Sequence, residues 1–268
     1  MGQGSLPPRA DRRRVLFVVD RHGRQKMDYE DGGSDLLLDS RSYVVNVDDP
    51  LHGPLETALD RAGLLEPGNT LVQSPYDPDR YLVVNEPTTL EIAVQKLNYF
   101  VEFCQILGAR SARAVEVTRT SRSGTVTAKL GGSLSPSLPG PAALVPVKVS
   151  GSTSIGGGLS LEEEQRLSVE CEWAGGPPSL DDAERFVERH RLLNDSTFTS
   201  LLQARRHRAN PIAAKRFELE LSEQATANLE LASQLVARVG WLKGSVDGKI
   251  QAALNQKRSY KLSMVVAF

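Results

Sequence analysis

Four stretches of the chain alternate apolar and polar side chains, the pattern of a strand with one buried face. They are residues 114–118, 167–173, 217–221 and 260–268. Clean alternation in all four favours a single antiparallel sheet with one covered face. The sequence therefore predicts an α+β fold, in which a twisted antiparallel sheet of four or more strands carries packed helices and two long Gly/Ser/Ala-rich inserts.

The two inserts separate these strands in pairs. Residues 119–161 are dominated by Gly, Ser, Thr, Pro, Ala and Val, and residues 223–256 are rich in Ala, Leu, Gly, Ser and Lys. Apolar residues from Ala225 to Val239 recur at helical spacing, so the second insert predicts a helix, which Gly240 and Gly244 weaken. A compact domain rarely keeps such long connections without a use for them. The inserts are therefore the candidate functional segments.

Three regions follow from the remaining pattern. Residues 1–13, with Gly, Pro and Arg and little to bury, predict a disordered basic tail. Residues 14–87 predict a small acidic αβ module, either separate from the main sheet or continuous with it, and residues 88–268 predict the main sheet domain with its inserts. The module is expected to contain a helix from Pro54 to Gly63 and strands at 15–19, 26–30, 36–38, 43–47 and 81–84.

The strongest helix prediction opens the main domain at residues 88–107. Thr88 and Glu91 match the capping-box pattern, with Thr88 as the N-cap, and Gly108 supplies the stop. This helix is expected to pack on the covered face of the sheet. The predicted apolar layer consists of Leu97, Val101, Cys104, Leu167, Val169, Trp173, Leu219, Leu221, Leu262 and Met264.

Composition excludes several classes of protein. Among 268 residues, 40% are apolar and 24% charged, as in ordinary globular chains. No run of eighteen apolar residues predicts a transmembrane helix, and residues 1–8 lack the apolar core of a signal peptide, so a cytoplasmic location is expected. Cys104 and Cys171 lie in apolar patterns and are expected to be buried thiols.

The net charge of −1 conceals a strong asymmetry along the chain. Residues 28–91 hold fourteen Asp/Glu against three Arg, a net charge of −11. No acidic residue occurs between Glu116 and Glu162, and residues 237–261 carry six Lys/Arg against Asp247 alone. Charge asymmetry of this kind bears on partners rather than on fold. We expect the acidic segment to cover the basic inserts in the resting protein, or else only to aid solubility.

Only one enzyme-like motif stands out. Arg21-His22-Gly23 follows the predicted strand 15–19 and resembles the histidine phosphatase motif, in which the His is the phosphorylated nucleophile beside an Arg. A second His motif is missing, and Asp20 would repel an incoming phosphate. We therefore predict that His22 is not a nucleophile, and rank a phosphate-handling hydrolase at His22 last among the alternatives.

Other chemical signatures are missing from the sequence. It contains no Walker loop, dinucleotide fingerprint, zinc spacing or Gly-x-Ser-x-Gly elbow. Asp48-Asp49 and the pair Asp77 and Asp79 could offer carboxylates to a cation, but are read as solvated turns. The prediction is a non-enzymatic protein with no catalytic residue, no cofactor and no metal site.

The order of strands and inserts over residues 114–268 is similar to that in gasdermin and perforin-like pore formers. The similarity rests on order and composition, without a family-specific motif. In those proteins two segments between strands of a central sheet refold into amphipathic hairpins that enter a membrane. The resemblance implies a membrane-active, pore-forming effector, recruited to a membrane from the cytoplasm. The alternative is a cytoplasmic protein-binding or scaffold module.

Basic residues of the inserts are the candidate contacts for an anionic membrane surface, because anionic lipid attracts Lys and Arg. They are Lys129, Lys148, Arg238, Lys243, Lys249 and Lys257. The expected partner is anionic lipid or another protein, and a homo-oligomer is an open alternative. Nucleic acid is not expected, because the basic run at residues 205–208 has neither interleaved aromatics nor a recognised module.

Overall fold

The computed structural model describes residues 6–29, 36, 38–50, 53–85, 87–121, 124–130, 159–207, 212–221, 223–238 and 259–268. The chain divides into two compact units. The first unit comprises Met1–Thr89 and Gln224–Lys257, and the second comprises Leu90–Glu223 and Arg258–Phe268. Most of the predicted second insert therefore groups with the N-terminal part of the chain.

The first unit contains a four-stranded mixed sheet of its own. Its strands are β1 (Val15–Val19), β2 (Ser42–Asn46), β3 (Thr70–Gln73) and β4 (Tyr81–Val83), in the order β2-β1-β3-β4. Strand β1 pairs in parallel with β2 and antiparallel with β3. The expectation that this module continues the main sheet is therefore wrong, since these strands pair among themselves.

Helix α1 (Arg21–Tyr29) replaces the strand predicted at residues 26–30. Two parallel strands need a crossover between them, and a helix is the usual one. Only Met27 of this helix is buried, so no apolar period marked it in the sequence. Helix α2 (Pro54–Arg61) is confirmed, with Pro at its start and Gly63 beyond its end at φ 69°.

Residues 6–13 differ from the predicted disordered tail. Leu6 is buried in the core around β1, and its backbone N–H donates to the Glu56 carboxylate at 2.7 Å. A 3-10 turn covers Ala10–Arg12, and the side chain of Arg13 is buried. Burial of Leu6 and of the Arg13 side chain thus orders residues 6–13, although their composition is mostly polar.

The second unit contains the predicted antiparallel sheet, which confirms the α+β fold. Its strands are β5 (Ser111–Ser121), β6 (Gly124–Lys129), β7 (Glu170–Glu172), β8 (Ala214–Glu220) and β9 (Ser259–Ala267). They run in the order β6-β5-β9-β8, and β7 also pairs with β5. The antiparallel pair of β5 and β6 extends into residues predicted as the first insert, and Thr-x-Thr alternates on both strands.

Helices cover one face of this sheet. They are α3 (Thr88–Ile106), α4 (Leu161–Leu167), α5 (Leu180–Arg189) and α6 (Ser196–Arg206). The rings of Phe100 on α3 and Phe217 on β8 meet edge to face at 5.6 Å, which confirms that the predicted helix packs on the sheet. The Thr88 hydroxyl accepts from the backbone N–H of Asn85 and donates towards Val83, so it contacts the preceding turn rather than acting as the predicted N-cap.

The predicted apolar layer is buried at seven of its ten positions: Leu97, Cys104, Leu167, Leu219, Leu221, Leu262 and Met264. Val101, Val169 and Trp173 are half-buried. The strand predicted at 167–173 is shorter than expected. Ser160 and Glu163 form a capping box that starts helix α4, so Leu167 ends a helix and the strand covers only Glu170–Glu172.

Strands β6 and β7 lie in line along the same edge of β5. Strand β6 pairs with residues 116–121 of β5, and β7 pairs with residues 111–113. Between them, the Leu130 N–H donates to the Val115 carbonyl, and the Ala114 N–H donates to the Val169 carbonyl. Strands β6 and β7 therefore form one interrupted edge strand beside β5. The chain leaves this edge strand after Leu130 and rejoins it at Val169, opposite adjacent residues of β5.

Candidate functional site

Helix α7 (Glu223–Arg238) of the second insert is amphipathic and packs with the first unit. Its buried residues are Asn228, Leu229, Leu231, Ala232, Leu235 and Val236. Asn228 is only 6% exposed, and both ends of its amide are used. Its Nδ2 donates to the Gln73 carbonyl at 2.8 Å, and its Oδ1 accepts from Arg14 Nη2. This polar contact fixes the register of the helix against β3.

Arg238, at the C-terminal end of α7, lies 3.8 Å from the Asp39 carboxylate. Asp39 also accepts two hydrogen bonds from the Arg41 guanidinium, at 3.1 and 2.9 Å. The hydrogen bonds from Arg41, together with attraction from Arg238, hold the pKa of Asp39 below its usual range. A basic residue of the second insert thus meets an ionised carboxylate of the acidic segment 28–91.

The structure describes two of the six predicted membrane contacts. Lys129 is exposed on β6 in the second unit, and Arg238 is exposed on α7 in the first. Lys148, Lys243, Lys249 and Lys257 lie outside the described residues. Four of the six residues lie outside the described part of the chain and the other two belong to different units, so their membrane role stays a prediction.

The motif Asp20-Arg21-His22-Gly23 lies at the carboxyl end of β1, where α1 begins. The Asp20 carboxylate accepts from the Gly23 N–H, and the Asp48 carboxylate accepts from the Arg21 N–H, both at 2.7 Å. Helix N-termini can bind phosphate through such N–H groups. Here two carboxylates occupy these N–H groups, and their charge opposes an anion. The local geometry does not form a phosphate cradle around His22.

The two other acidic turns, Asp77 with Asp79 and Asp48-Asp49, differ in their contacts with the rest of the protein. Asp79 accepts from the buried guanidinium of Arg13 at 2.7 Å, and the Asp77 carboxylate accepts from the Asp79 N–H at 3.0 Å. Asp48 and Asp49 remain exposed. Within the described ranges, no group of three His, Cys, Asp or Glu residues is arranged to hold a metal ion.

Glu163 lies in the first turn of α4, and its burial was not predicted from the sequence. Its carboxylate is 2% exposed and accepts from Arg119 Nη1 at 2.8 Å, from the Tyr260 hydroxyl at 2.6 Å and from the Ser160 N–H at 2.8 Å. Arg119 and Tyr260 are cross-strand neighbours on β5 and β9. The Ser-x-x-Glu spacing of Ser160 and Glu163 was the available signal.

A second buried ion pair joins three elements of the sheet domain. Lys96 of α3 pairs with Asp195, and its ammonium donates to the Glu220 carbonyl at the end of β8. Asp195 also accepts from the Thr197 N–H at 3.0 Å as the N-cap of α6. All of these contacts are internal, so the pair fixes the fold rather than presenting a charge to a ligand.

Both cysteines are free thiols. Burial raises the pKa of Cys104, and burial with the nearby Glu170 charge raises the pKa of Cys171. A raised pKa leaves little thiolate, which is the reactive form. The expectation of a buried thiol is confirmed for Cys104, whereas Cys171 is half-buried.

Comparisons with protein-family models, with curated proteins and with solved structures find no match to this chain. Among the helices in the described part of the chain, none combines the length and the apolar character needed to cross a membrane.

Proposed function

We propose that the protein is a non-enzymatic effector that binds anionic membrane surfaces through its basic inserts. In the resting state, helix α7 of the second insert is docked on the acidic N-terminal unit. The observation that carries this proposal is the ion pair between Arg238 and Asp39, together with the Asn228 contact that docks the same helix. A partner or a membrane displaces this helix and releases the basic segment that follows it.

The positive charge of the released segment favours its transfer to an anionic lipid surface. Anionic lipid attracts basic segments by about 1 kcal/mol for each Lys or Arg near its surface. Residues 237–258, which precede β9, carry five Lys/Arg against one Asp, and Arg238 is the member of this set that meets Asp39. An arginine paired with a carboxylate of its own chain is less available to lipid, so docking lowers membrane affinity.

The finer proposal is that the second insert forms a membrane hairpin, as in pore formers. Its support is that β8 and β9 are antiparallel neighbours and that residues 221–258 connect them. A membrane-spanning strand needs about ten residues, and each backbone group must find a partner within the sheet. The first insert differs, because its flanking strands β6 and β7 lie in line rather than side by side. The proposal is therefore limited to one hairpin per chain.

The test is co-sedimentation of the full chain with anionic vesicles. Deleting residues 1–87 would uncover the apolar face of α7, so point variants are the sharper tool. Asn228→Ala removes the amide that serves Gln73 and Arg14, at a cost of about 1–3 kcal/mol to docking. We expect this variant to bind anionic vesicles about tenfold more tightly than the parent chain, and less so as salt rises.

Gln234→Ala is the matched control, because Gln234 is exposed on the same helix. It should bind vesicles as the parent chain does. Equal binding by Asn228→Ala and Gln234→Ala would reject the docked state as the regulator. If neither protein binds anionic vesicles at low salt, the membrane function itself is rejected.

The non-enzymatic part of the proposal has its own measurement. The purified chain is expected to leave a generic phosphomonoester intact. Hydrolysis that His22→Ala abolishes would instead assign a phosphatase activity to the end of β1.

A protein-binding or scaffold role is the second candidate. It is favoured by the outer face of the five-stranded sheet, on which described residues carry charges of both signs: Arg113, Glu116, Arg216 and Glu218. Binding of a protein instead of vesicles would replace the membrane proposal.

A further inference from the structure

The outer face of the five-stranded sheet, opposite the one that carries Leu219, Leu262 and Met264, is polar and regular. Cross-strand partners share a face, so the register gives its layout. Glu170, Arg113, Val265 and Arg216 form one row across β7, β5, β9 and β8, here called the Arg113 row. Lys129, Glu116, Ser263 and Glu218 form the next row across β6, β5, β9 and β8, here called the Glu116 row.

The two rows carry opposite charges at every charged position. Along the sheet, the Arg113 row reads negative, positive, neutral, positive, and the Glu116 row reads positive, negative, neutral, negative. The β-bulge between Ala114 and Glu116 contributes to this match, because it brings Glu116 opposite Ser263 on the outer face.

We propose that the outer face binds a second copy of this chain, face to face, about a two-fold axis that lies between the two rows and parallel to them. That rotation keeps each strand over its own copy and exchanges the rows. Arg216 then faces Glu218 of the second copy, Arg113 faces its Glu116, and Glu170 faces its Lys129. Each pair occurs twice in the dimer, as a two-fold interface requires.

Size complementarity continues in the rows on either side. Ala214 and Ala267 lie beyond the Arg113 row, and Lys261 and Glu220 lie beyond the Glu116 row. The same rotation sets the two alanines over the two long side chains. Sheets that pack face to face keep their strands within about 30° of each other, which this arrangement allows.

The area of the face sets the expected strength of the dimer. With strands about 4.8 Å apart and same-face residues about 6.7 Å apart, four strand positions and four rows cover roughly 500 Å². This is below the roughly 800 Å² per partner of a standard interface. The dimer is therefore a weak one that forms at high protein concentration, and its charged contacts weaken as salt rises.

A two-fold axis parallel to the strands, between β5 and β9, is the competing arrangement. It would set Arg216 over Glu170 and Lys129 over Glu218. It leaves Arg113 over Val265 and Glu116 over Ser263, so two charges of each copy face no charge across the interface. The axis between the rows pairs all six charges, and the structure favours it for that reason.

Sedimentation equilibrium of the full chain tests the proposal by charge exchange. Arg216→Glu and Glu218→Arg, each alone, place like charges together twice per dimer, and Glu218→Arg also removes the 2.6 Å pair of Glu218 with Lys261 of its own chain. Each is expected to weaken dimerisation at least about tenfold. The double variant, Arg216→Glu with Glu218→Arg, restores opposite charges across the axis and should recover dimerisation. Under the competing axis, the double variant would meet Glu170 and Lys129 with like charges and would stay monomeric.

Two controls keep the result interpretable. Lys215→Glu makes the same charge change next to Arg216 on the opposite face of β8, and it should leave dimerisation unchanged. Circular dichroism reports whether each variant is folded, and the second exchange, Glu170→Lys with Lys129→Glu, repeats the test on another strand pair. A parent chain that stays monomeric at concentrations used for NMR would overturn the proposal. So would single variants without effect, or double variants that fail to recover dimerisation.

Discussion

Glu163 shows how one buried carboxylate can hold the end of a long insert. It joins the start of α4 to β5 and β9 through Arg119 and Tyr260. Breaking a buried ion pair by removing one partner leaves the other charge uncompensated, which costs about 3–5 kcal/mol. We therefore expect Glu163→Gln to lower the free energy of unfolding by about 3 kcal/mol in urea denaturation.

The neighbouring residue supplies the control for Glu163. Glu162 is 76% exposed and pairs with Arg166 at 3.8 Å on the surface of the same helix. Glu162→Gln should change stability by less than about 1 kcal/mol, as exposed pairs do. Equal losses in the two variants would show that burial of the Glu163 charge contributes nothing.

Tyr81 gives a prediction for alkaline pH. Its hydroxyl donates to the Arg13 carbonyl at 2.7 Å, and burial raises its pKa to about 12. The folded state therefore favours the neutral phenol relative to the unfolded chain, whose tyrosine titrates near pH 10. This contribution is fully present below about pH 10 and is lost as pH rises towards about 12. Tyr81→Phe should flatten the fall in unfolding free energy over this range, and an equally steep fall in that variant would contradict the assignment.

A single substitution at Leu219 tests whether the covered face of the sheet forms the core of the second unit. It is fully buried on β8, so Leu219→Ala should cost about 2–5 kcal/mol of unfolding free energy. Lys215→Ala on the same strand is the exposed control. An unchanged melting temperature for Leu219→Ala would remove the proposed core.

At the scale of elements, the sequence predicted those whose pattern repeats. Strands β5, β8 and β9 and helix α3 were predicted because their apolar positions follow periods of two or 3.6. Helix α1 was not predicted, because it buries one residue only. Strand β7 was predicted too long, because the capping box of Ser160 and Glu163 starts a helix whose last residue, Leu167, lies within the predicted strand. Apolar periodicity in a sequence arises because one face of an element is buried. Elements that bury few side chains therefore show little periodicity.

The in-line placement of β6 and β7 gives a prediction about the first insert. Leu130 and Val169 bond to adjacent residues of β5, so the two chain segments that flank the first insert and helix α4 lie close together in space. Closing a shorter loop costs less entropy, by about 0.6 kcal/mol for each halving of length. Replacing residues 131–158 with a short Gly/Ser linker should therefore leave the unfolding free energy unchanged or slightly raised. A loss of several kcal/mol would mean that the insert supports the sheet.

At the scale of the whole molecule, contacts between distant residues were beyond prediction. Arg238 and Asp39 are far apart in sequence, and nothing in either neighbourhood marks them as partners. The sequence predicted only that an acidic segment and basic inserts carry opposite charge. The fold decides which members meet, and it does so through apolar packing of α7 and the amide of Asn228.

Release of α7 is the last prediction, and it follows from the proposed masking. Backbone N–H groups of a docked helix exchange slowly with solvent, and local opening speeds them. With anionic vesicles, hydrogen exchange should rise in residues 223–238, while β5 and β9 stay protected. Vesicles of zwitterionic lipid should leave both patterns unchanged, because they lack the charge that draws Arg238 from Asp39. Binding to anionic vesicles with full protection of α7 would show that the membrane contacts another surface of the protein. The pairing of Arg238 with Asp39 would then contribute only to the stability of the fold.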